Sequence, residues 1–321
     1  MRFAKIMLPT FPPLDNALIQ LAQTLRDNEY SFTTVTPLTH ARVNARAENR
    51  FAKDLRDVFG WSRPFRREIL ADEIWQLMQR AEIVETCGDD TFKSTVRFSS
   101  LNDQLFLHSA FSTVAGDAVF FGPDTYRFAD AIARFFATHS QIVQRAVDIG
   151  CGSGVGAILT ALQKPQAQVF GVDINERALR FTRLNAALSS TRIEAIHSDL
   201  LSNIEGAFDL IVANPPYLVD ESERAYRHGG GVLGADLSLQ IVDAAMERLT
   251  RGGTLLLYTS VAMMDGCDPF REDIAARLAQ HNVTWNYRES DPDVFGEELE
   301  SDAYVGCDRI AAVVLTATKN A

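Results

Sequence analysis

The stretch Ala146-Val147-Asp148-Ile149-Gly150-Cys151-Gly152-Ser153-Gly154 decides the fold. Ala146–Ile149 is short and apolar, as a buried strand is, and it runs straight into a turn rich in glycine. In open α/β sheets, ligands bind beyond the carboxyl ends of the strands. Glycine there lets a ligand approach the backbone where a side chain would obstruct it. Gly152–Ala157 also satisfies GxGxxA, the dinucleotide fingerprint, so a NAD(P)-dependent oxidoreductase stays open at this point.

Outward from this turn, the chain alternates strands and helices. Strands are predicted at Ala146–Ile149, Gln168–Asp173, Arg192–Ile196, Phe208–Val212 and Thr254–Thr259, with late ones at Val283–Arg288 and Arg309–Thr316. Helix-length segments separate most of them, which predicts a doubly wound, mostly parallel α/β sheet with both faces covered. Before it, Leu14, Ala17, Leu18, Leu21, Ala22 and Leu25 recur at helical spacing over residues 14–27. Further helices are predicted over 40–58 and 64–80. Then Gly88-Asp89-Asp90 marks a turn, a strand runs through Phe92, Val96 and Phe98, and another follows at Gln104–His108. We expect two domains: residues 1–115 as a smaller helical or winged-helix-like recognition module, and 116–321 as the cofactor-binding domain.

Acids stand at successive strand ends. Val172-Asp173-Ile174-Asn175 closes the second strand, and Asp173 can accept hydrogen bonds from both hydroxyls of a ribose. His197-Ser198-Asp199-Leu200 follows the third, where Asp199 could receive an adenine amino group. The fourth strand ends in Asn214-Pro215-Pro216-Tyr217, the most informative tetrapeptide in the chain. An amide or aromatic amine delocalises its nitrogen lone pair and is a poor nucleophile. The Asn214 side-chain carbonyl and the Pro215 backbone carbonyl can accept its two N–H groups, orient it and stabilise the positive charge that develops there. Pro216 stiffens the turn and Tyr217 offers a flat face for stacking.

Taken in order, these motifs resemble the class I S-adenosylmethionine-dependent methyltransferases over roughly residues 146–316. The resemblance implies a Rossmann-like sheet of seven strands, order 3-2-1-4-5-7-6, with the seventh antiparallel. It implies that Asp148, Gly150, Cys151, Gly152 and Gly154 form the turn that holds the methionine part of the cofactor. Asp173 with Ile174 then serves the ribose, and Asp199 with Leu200 the adenine. Asn214-Pro215-Pro216-Tyr217 is similar to the NPPY motif of enzymes that methylate glutamine amides or exocyclic amines of nucleobases. Gly229-Gly230-Gly231-Val232-Leu233-Gly234-Ala235-Asp236 and Gly252-Gly253-Thr254 narrow this to the release-factor glutamine methyltransferases of the HemK type. Phe121-Gly122-Pro123-Asp124-Thr125 looks like that family's Arg-Pro-Asp-Thr-Glu element, placing Phe121, Pro123 and Thr125 as pocket candidates. It departs from the element at Gly122 and at Tyr126. The expected donor is S-adenosyl-L-methionine, leaving S-adenosyl-L-homocysteine. The expected acceptor is a glutamine amide in a protein of the translation apparatus, with an rRNA or tRNA base as the alternative.

Charge sharpens the division. The net −11 lies wholly in residues 147–321, because residues 1–146 hold 17 basic and 17 acidic side chains. Between Arg42 and Arg67 stand eight basic residues against three acids, a patch that could meet RNA or another polyanion. Cys87, Cys151, Cys267 and Cys307 form no CxxC pair, and the six histidines show no ligand spacing, so no metal is expected. The N-terminal Met1–Pro13 predicts no secretory signal, and no apolar run is long enough to span a bilayer, so a cytoplasmic protein without membrane contact is expected. The acidic loop from Ser290 to Asp308 is a candidate lid.

Overall fold

The computed structural model describes residues 11–219, 227–231 and 233–320, and its internal contacts divide the chain into two units. The first takes the residues up to Thr113 with Phe121–Pro123 and Leu184–Ser190. In it Pro13–Asp27 (α1) begins with proline, tolerated in a first turn where the N–H has no intrahelical partner, and buries Ala17, Leu18, Leu21, Ala22 and Leu25. The helix predicted over 40–58 is instead two, Pro37–Asn44 (α2) and Leu55–Phe59 (α3). The break is chemical: the Asp54 carboxylate accepts the N–H of Asp57 at 2.9 Å and caps a new start. The helix predicted over 64–80 contracts to Asp72–Arg80 (α4), which packs on α1. Phe65, fully buried, exchanges both backbone hydrogen bonds with Phe92 and cannot be helical.

Two hairpins follow, Val84–Gly88 (β1) with Thr91–Ser94 (β2), and Val96–Leu101 (β3) with Gln104–Ser109 (β4). The single strand predicted through Phe92 and Phe98 breaks at Thr95, whose N–H turns to the Ile83 carbonyl at 3.0 Å.

The second unit holds Val114–Phe120, Asp124–Arg183 and Thr191 onward. Most of Pro123–Thr138 (α5) belongs to it. Then come Arg145–Ile149 (β5), Val155–Gln163 (α6), Gln168–Asp173 (β6), Glu176–Leu188 (α7, whose residues from Leu184 fall in the first unit), Ile193–His197 (β7) and Phe208–Ala213 (β8). Asp236–Arg248 (α8), Leu249–Met264 (β9), Pro269–Leu278 (α9), Val283–Asp291 (β10) and Cys307–Lys319 (β11) complete it. The seven strands form one sheet in the order β10-β11-β9-β8-β5-β6-β7, with β11 antiparallel to both neighbours. This is the 3-2-1-4-5-7-6 order that the resemblance implies.

A central parallel strand has helices on both faces, so it is apolar along its whole length rather than alternating. In β8, Leu210, Ile211, Val212 and Ala213 are all buried. Fully burying one such side chain contributes about 1.5–3 kcal/mol. The register sets Ile149 beside both Val172 and Ala213, and Asp173 beside His197. The carboxyl ends of β7, β6, β5 and β8 therefore lie side by side along one edge of the sheet. Within the stretch expected as an acidic loop, β10 runs on to Asp291, and two short 3-10 turns occupy Gly296–Glu300 and Asp302–Tyr304.

Candidate active site

At the end of β5 the chain must turn sharply to start α6. Gly150 and Gly152 do so with φ of +69° and +55°, and a Cβ on either would meet nothing within 4 Å. Left-handed backbone costs an L side chain about 1–2 kcal/mol, so conformation alone calls for glycine, and the space before both residues is open. Gly156 is different: a Cβ there would fall 2.7 Å from Asp148 Oδ2. Asp148 is itself buried, and its Oδ2 accepts the N–H of Ala157 at 2.9 Å, fastening β5 to the first turn of α6. Burial, with Asp173 nearby, pushes its carboxyl up to about 7.

Asp173 ties two strand ends together. One carboxylate oxygen accepts the N–H of Gly152 and the other that of Asn175, each at 2.9 Å. Burial raises its pKa above the usual carboxylate range, although those bonds oppose the shift. From α7, Thr182 donates its hydroxyl to the Gly152 carbonyl at 3.1 Å. The Cys151 thiol lies 3.3 Å from the Thr182 hydroxyl, and burial together with Asp173 and Asp148 holds it protonated. Ile174, next to Asp173, leaves 55% of its surface exposed, an unusual position for a large aliphatic chain at a strand end. After β7, the Ser198 N–H reaches the Asp173 carbonyl at 3.1 Å, Asp199 is exposed, and Leu200 adopts φ +47°.

After β8 comes Asn214. Its side-chain oxygen Oδ1 is buried and accepts no hydrogen bond from any described residue. Pro215 is buried and Pro216 half-buried. Tyr217 is only 8% exposed, and both its ends are occupied. Its hydroxyl hydrogen-bonds Asp124, and its ring meets Phe295 at 5.9 Å and 56°. Asp124, buried at the start of α5, also accepts the Tyr258 hydroxyl at 2.6 Å, and the Arg127 guanidinium lies 3.3 Å away. Burial raises the Asp124 pKa against the pull of these partners. Arg127 reaches on to Asp291 at 2.8 Å.

The glycine-rich segment holds this motif from behind. A Cβ on Gly229 would fall 1.9 Å from the Gly234 carbonyl oxygen and 2.7 Å from Tyr217 Cα. Leu218 exchanges backbone bonds with Arg227 and Gly229, and Val219 donates its N–H to the Tyr304 hydroxyl at 3.0 Å. Glu298 pairs with Arg227. The acidic segment 290–308 is thus bound to the chain that follows Tyr217.

The sheet edge therefore gathers Asp148, Gly150, Cys151, Gly152, Gly154, Asp173, Ile174, Asp199, Leu200, Asn214 and Pro215–Tyr217. Thr125 lies buried in α5, and Pro123 opens that helix. Phe121 is fully buried in the first unit, stacked on His108 at 5.0 Å. Val232 of the glycine-rich segment lies outside the described residues. Sequence reasoning passed over Asp124, Tyr258, Thr182 and Phe295. Asp124 sits between two candidates, but an acid in the first turn of a helix reads as a partner for the helix dipole. Among the described residues, no three His, Cys, Asp or Glu side chains gather as a metal site, and no helix is long and apolar enough to cross a membrane.

Residues 128–264 match the methyltransferase small domain family. The chain is 37% identical over 124 residues to the release factor glutamine methyltransferase of Deinococcus radiodurans, covering 35% of this chain and 44% of that one. It is 37% identical over 131 residues to the ribosomal protein uL3 glutamine methyltransferase of Neisseria gonorrhoeae, covering 37% and 44%. It is 33% identical over 121 residues to the ribosomal RNA small subunit methyltransferase C of Haemophilus influenzae, covering 38% and 34%. The match spans less than half the length of each of these curated relatives. The GxGxxA reading of Gly152–Ala157 as a nicotinamide site gives way to this match. Residues 128–264, with the sheet order and the motifs along its edge, thus match a class I S-adenosylmethionine-dependent methyltransferase domain of the methyltransferase small type.

Proposed function

We propose that the protein is an N-methyltransferase acting on a planar nitrogen, and that its acceptor is the side-chain amide of a glutamine in a protein of the translation apparatus. The observation that carries this reading is Asn214 Oδ1, a buried acceptor with no donor among the described residues. A buried polar atom left unsatisfied costs about 1–3 kcal/mol, and an incoming amide N–H is the group that satisfies it. The Pro215 carbonyl takes the second N–H, so the nitrogen is held by both hydrogens with its face free. These two acceptors also stabilise positive charge as it builds on the nitrogen. Tyr217, fixed at hydroxyl and ring, holds the two carbonyls in place.

The residues along the edge fit S-adenosylmethionine. Open space before Gly150 and Gly152 admits the methionine part, Asp173 stands at the ribose, and the exposed Ile174 offers the adenine an apolar face. Leu200 and Asp199 complete that end. When bound, the cofactor supplies an electrophilic methyl group on a sulfonium. Asp148, Gly154 and Thr182 keep the turn in shape, and the protonated Cys151 contributes backbone rather than a nucleophile. We place the reaction in the cytoplasm and assign residues 1–115 to substrate recognition.

Two glutamine methyltransferases among the relatives support the amide reading. An exocyclic amine of an rRNA or tRNA base is the second reading, favoured by the ribosomal RNA relative and by the cationic stretch at Arg42–Arg67. Transfer of a tritiated methyl group into whole-cell extract separates the two. Label removed by protease and retained after ribonuclease is the expected result. The opposite pattern selects the RNA base, and no incorporation at all contradicts the reaction class.

A further inference from the structure

The segment 42–67 of the first unit is not used by the site above, and its charges sort into two kinds. Arg63 is buried against Asp57 at 2.5 Å, Arg67 pairs with Asp72, and the exposed Arg56 lies 3.8 Å from Asp54. These three have acidic partners within the fold. Arg42, Arg46, Arg50, Lys53 and Arg66 are exposed, and no acid among the described residues pairs with any of them. Five unpaired cations in one short stretch of a chain with net charge −11 are a local reversal of sign.

Aromatic rings lie among these cations. The half-buried Phe51 has the Arg50 guanidinium 5.4 Å from its centre and that of Arg66 at 5.9 Å. Trp61, also half-buried, is anchored through its carbonyl, which accepts from Asn44 at 2.9 Å, and carries Arg63 over its ring at 5.4 Å. Trp61 lines a cleft of about 380 Å³ with Ser31, Phe32, Thr33, Asp54, Arg56 and Asp57.

We propose that this face binds single-stranded RNA. Phosphates would meet the five outer cations, and unstacked bases would lie on Phe51 and Trp61, as on the aromatic platforms that take single strands without reading sequence. The cleft chemistry favours RNA over an acidic peptide. Asp57 is buried and already engaged by Arg63 and by the Lys53 N–H, but the exposed Asp54 carboxylate repels another carboxylate and can accept hydrogen bonds from base amines and from the 2′-hydroxyl that distinguishes RNA. A membrane fits less well, because none of the exposed large apolar side chains of the described residues falls within 42–67. The inference is independent of the methyl acceptor, since an RNA held here can belong to the substrate particle without carrying the methylated atom.

The test is fluorescence anisotropy of a labelled oligouridine of about 12 nucleotides with the full chain, titrated across a salt series. Neutralising about five phosphates of a single strand predicts a slope near −3.5 in log affinity against log salt. The triple variant R42E/R50E/R66E should weaken binding at least thirtyfold, and R251E, a reversal at an exposed site elsewhere, should change it less than threefold. Thermal midpoints should stay together, because all four side chains are exposed. Phe51→Leu should weaken binding severalfold without altering the salt slope. Wild-type binding by the triple variant, or no measurable affinity of the native chain at low salt, overturns the proposal. Vesicles containing phosphatidylserine should bind no better than neutral ones. If they bind more tightly than the RNA, and the triple variant loses that binding, the face belongs to a membrane and the proposal fails.

Discussion

The two halves of the sheet edge are built alike and finished differently. At the ends of β5 and β6, three carboxylate oxygens that shape the turn have donors from the chain itself: Ala157 for Asp148 Oδ2, and Gly152 and Asn175 for Asp173. At the end of β8, Tyr217 is fixed by Asp124 and Phe295, and its backbone is clasped by the glycines that follow, yet Asn214 Oδ1 is left without a donor. On the proposed reading, the first is the cofactor half, whose turn the chain braces itself, and the second is the acceptor half, complete only when a donor arrives.

The two halves should come apart most severely at Gly229. A Cβ there meets backbone rather than a movable side chain, so Gly229→Ala must push Pro216 and Tyr217 out of place, and with them the motif that Asn214 opens. Methyl transfer should fall by a hundredfold or more while S-adenosylhomocysteine affinity, read by calorimetry, changes only a few-fold. Parallel loss of both would show that the two halves are not separable.

The next largest effect lies on the cofactor side and depends on pH. Asp148 titrates at about 7 in the fold, against about 3.9 in an unfolded chain. A raised folded pKa means that the stabilising proton is fully in place below about pH 4. Its contribution is then lost as pH rises through 7. Asp148→Asn remains neutral and can keep the bond from Ala157. Relative to it, the native chain should lose on the order of a few kcal/mol of stability between pH 4 and 8, measured by urea unfolding. Equal slopes for the two chains would place the Asp148 charge in solvent.

A smaller effect tests the post beneath the acceptor. Asp124→Asn and Tyr217→Phe both weaken one hydrogen bond, so each should lower transfer about tenfold and the double variant should fall little further. Fully multiplicative losses would mean that the two residues act separately. Smallest is Ile174→Ala, which should weaken S-adenosylhomocysteine binding several-fold by removing about 1 kcal/mol of apolar contact. Unchanged affinity would leave that exposed side chain without a role.

The sheet was legible because its strands are buried on both faces: runs such as Leu210–Ala213 admit no other reading once a glycine turn follows the first of them. The edge residues were legible because each follows a strand end directly in sequence. The first unit was harder. Helix periodicity over 40–58 and 64–80 was overridden by an Asp54 cap and by the pairing of Phe65 with Phe92, a contact across 27 residues. The Asp124 post was illegible for the same reason, since its partner Tyr258 lies 134 residues away. Local pattern finds what one segment does alone and misses what two distant segments do together.

If Asn214 Oδ1 receives the N–H of a planar nitrogen, Asn214→Ala removes that acceptor, and tritiated-methyl transfer into extract and S-adenosylhomocysteine calorimetry can be run on the same preparation. Transfer should fall at least a hundredfold, the scale on which a preorganised hydrogen-bonding group acts, with cofactor affinity held within a few-fold. Transfer at the native rate would contradict that role for Asn214.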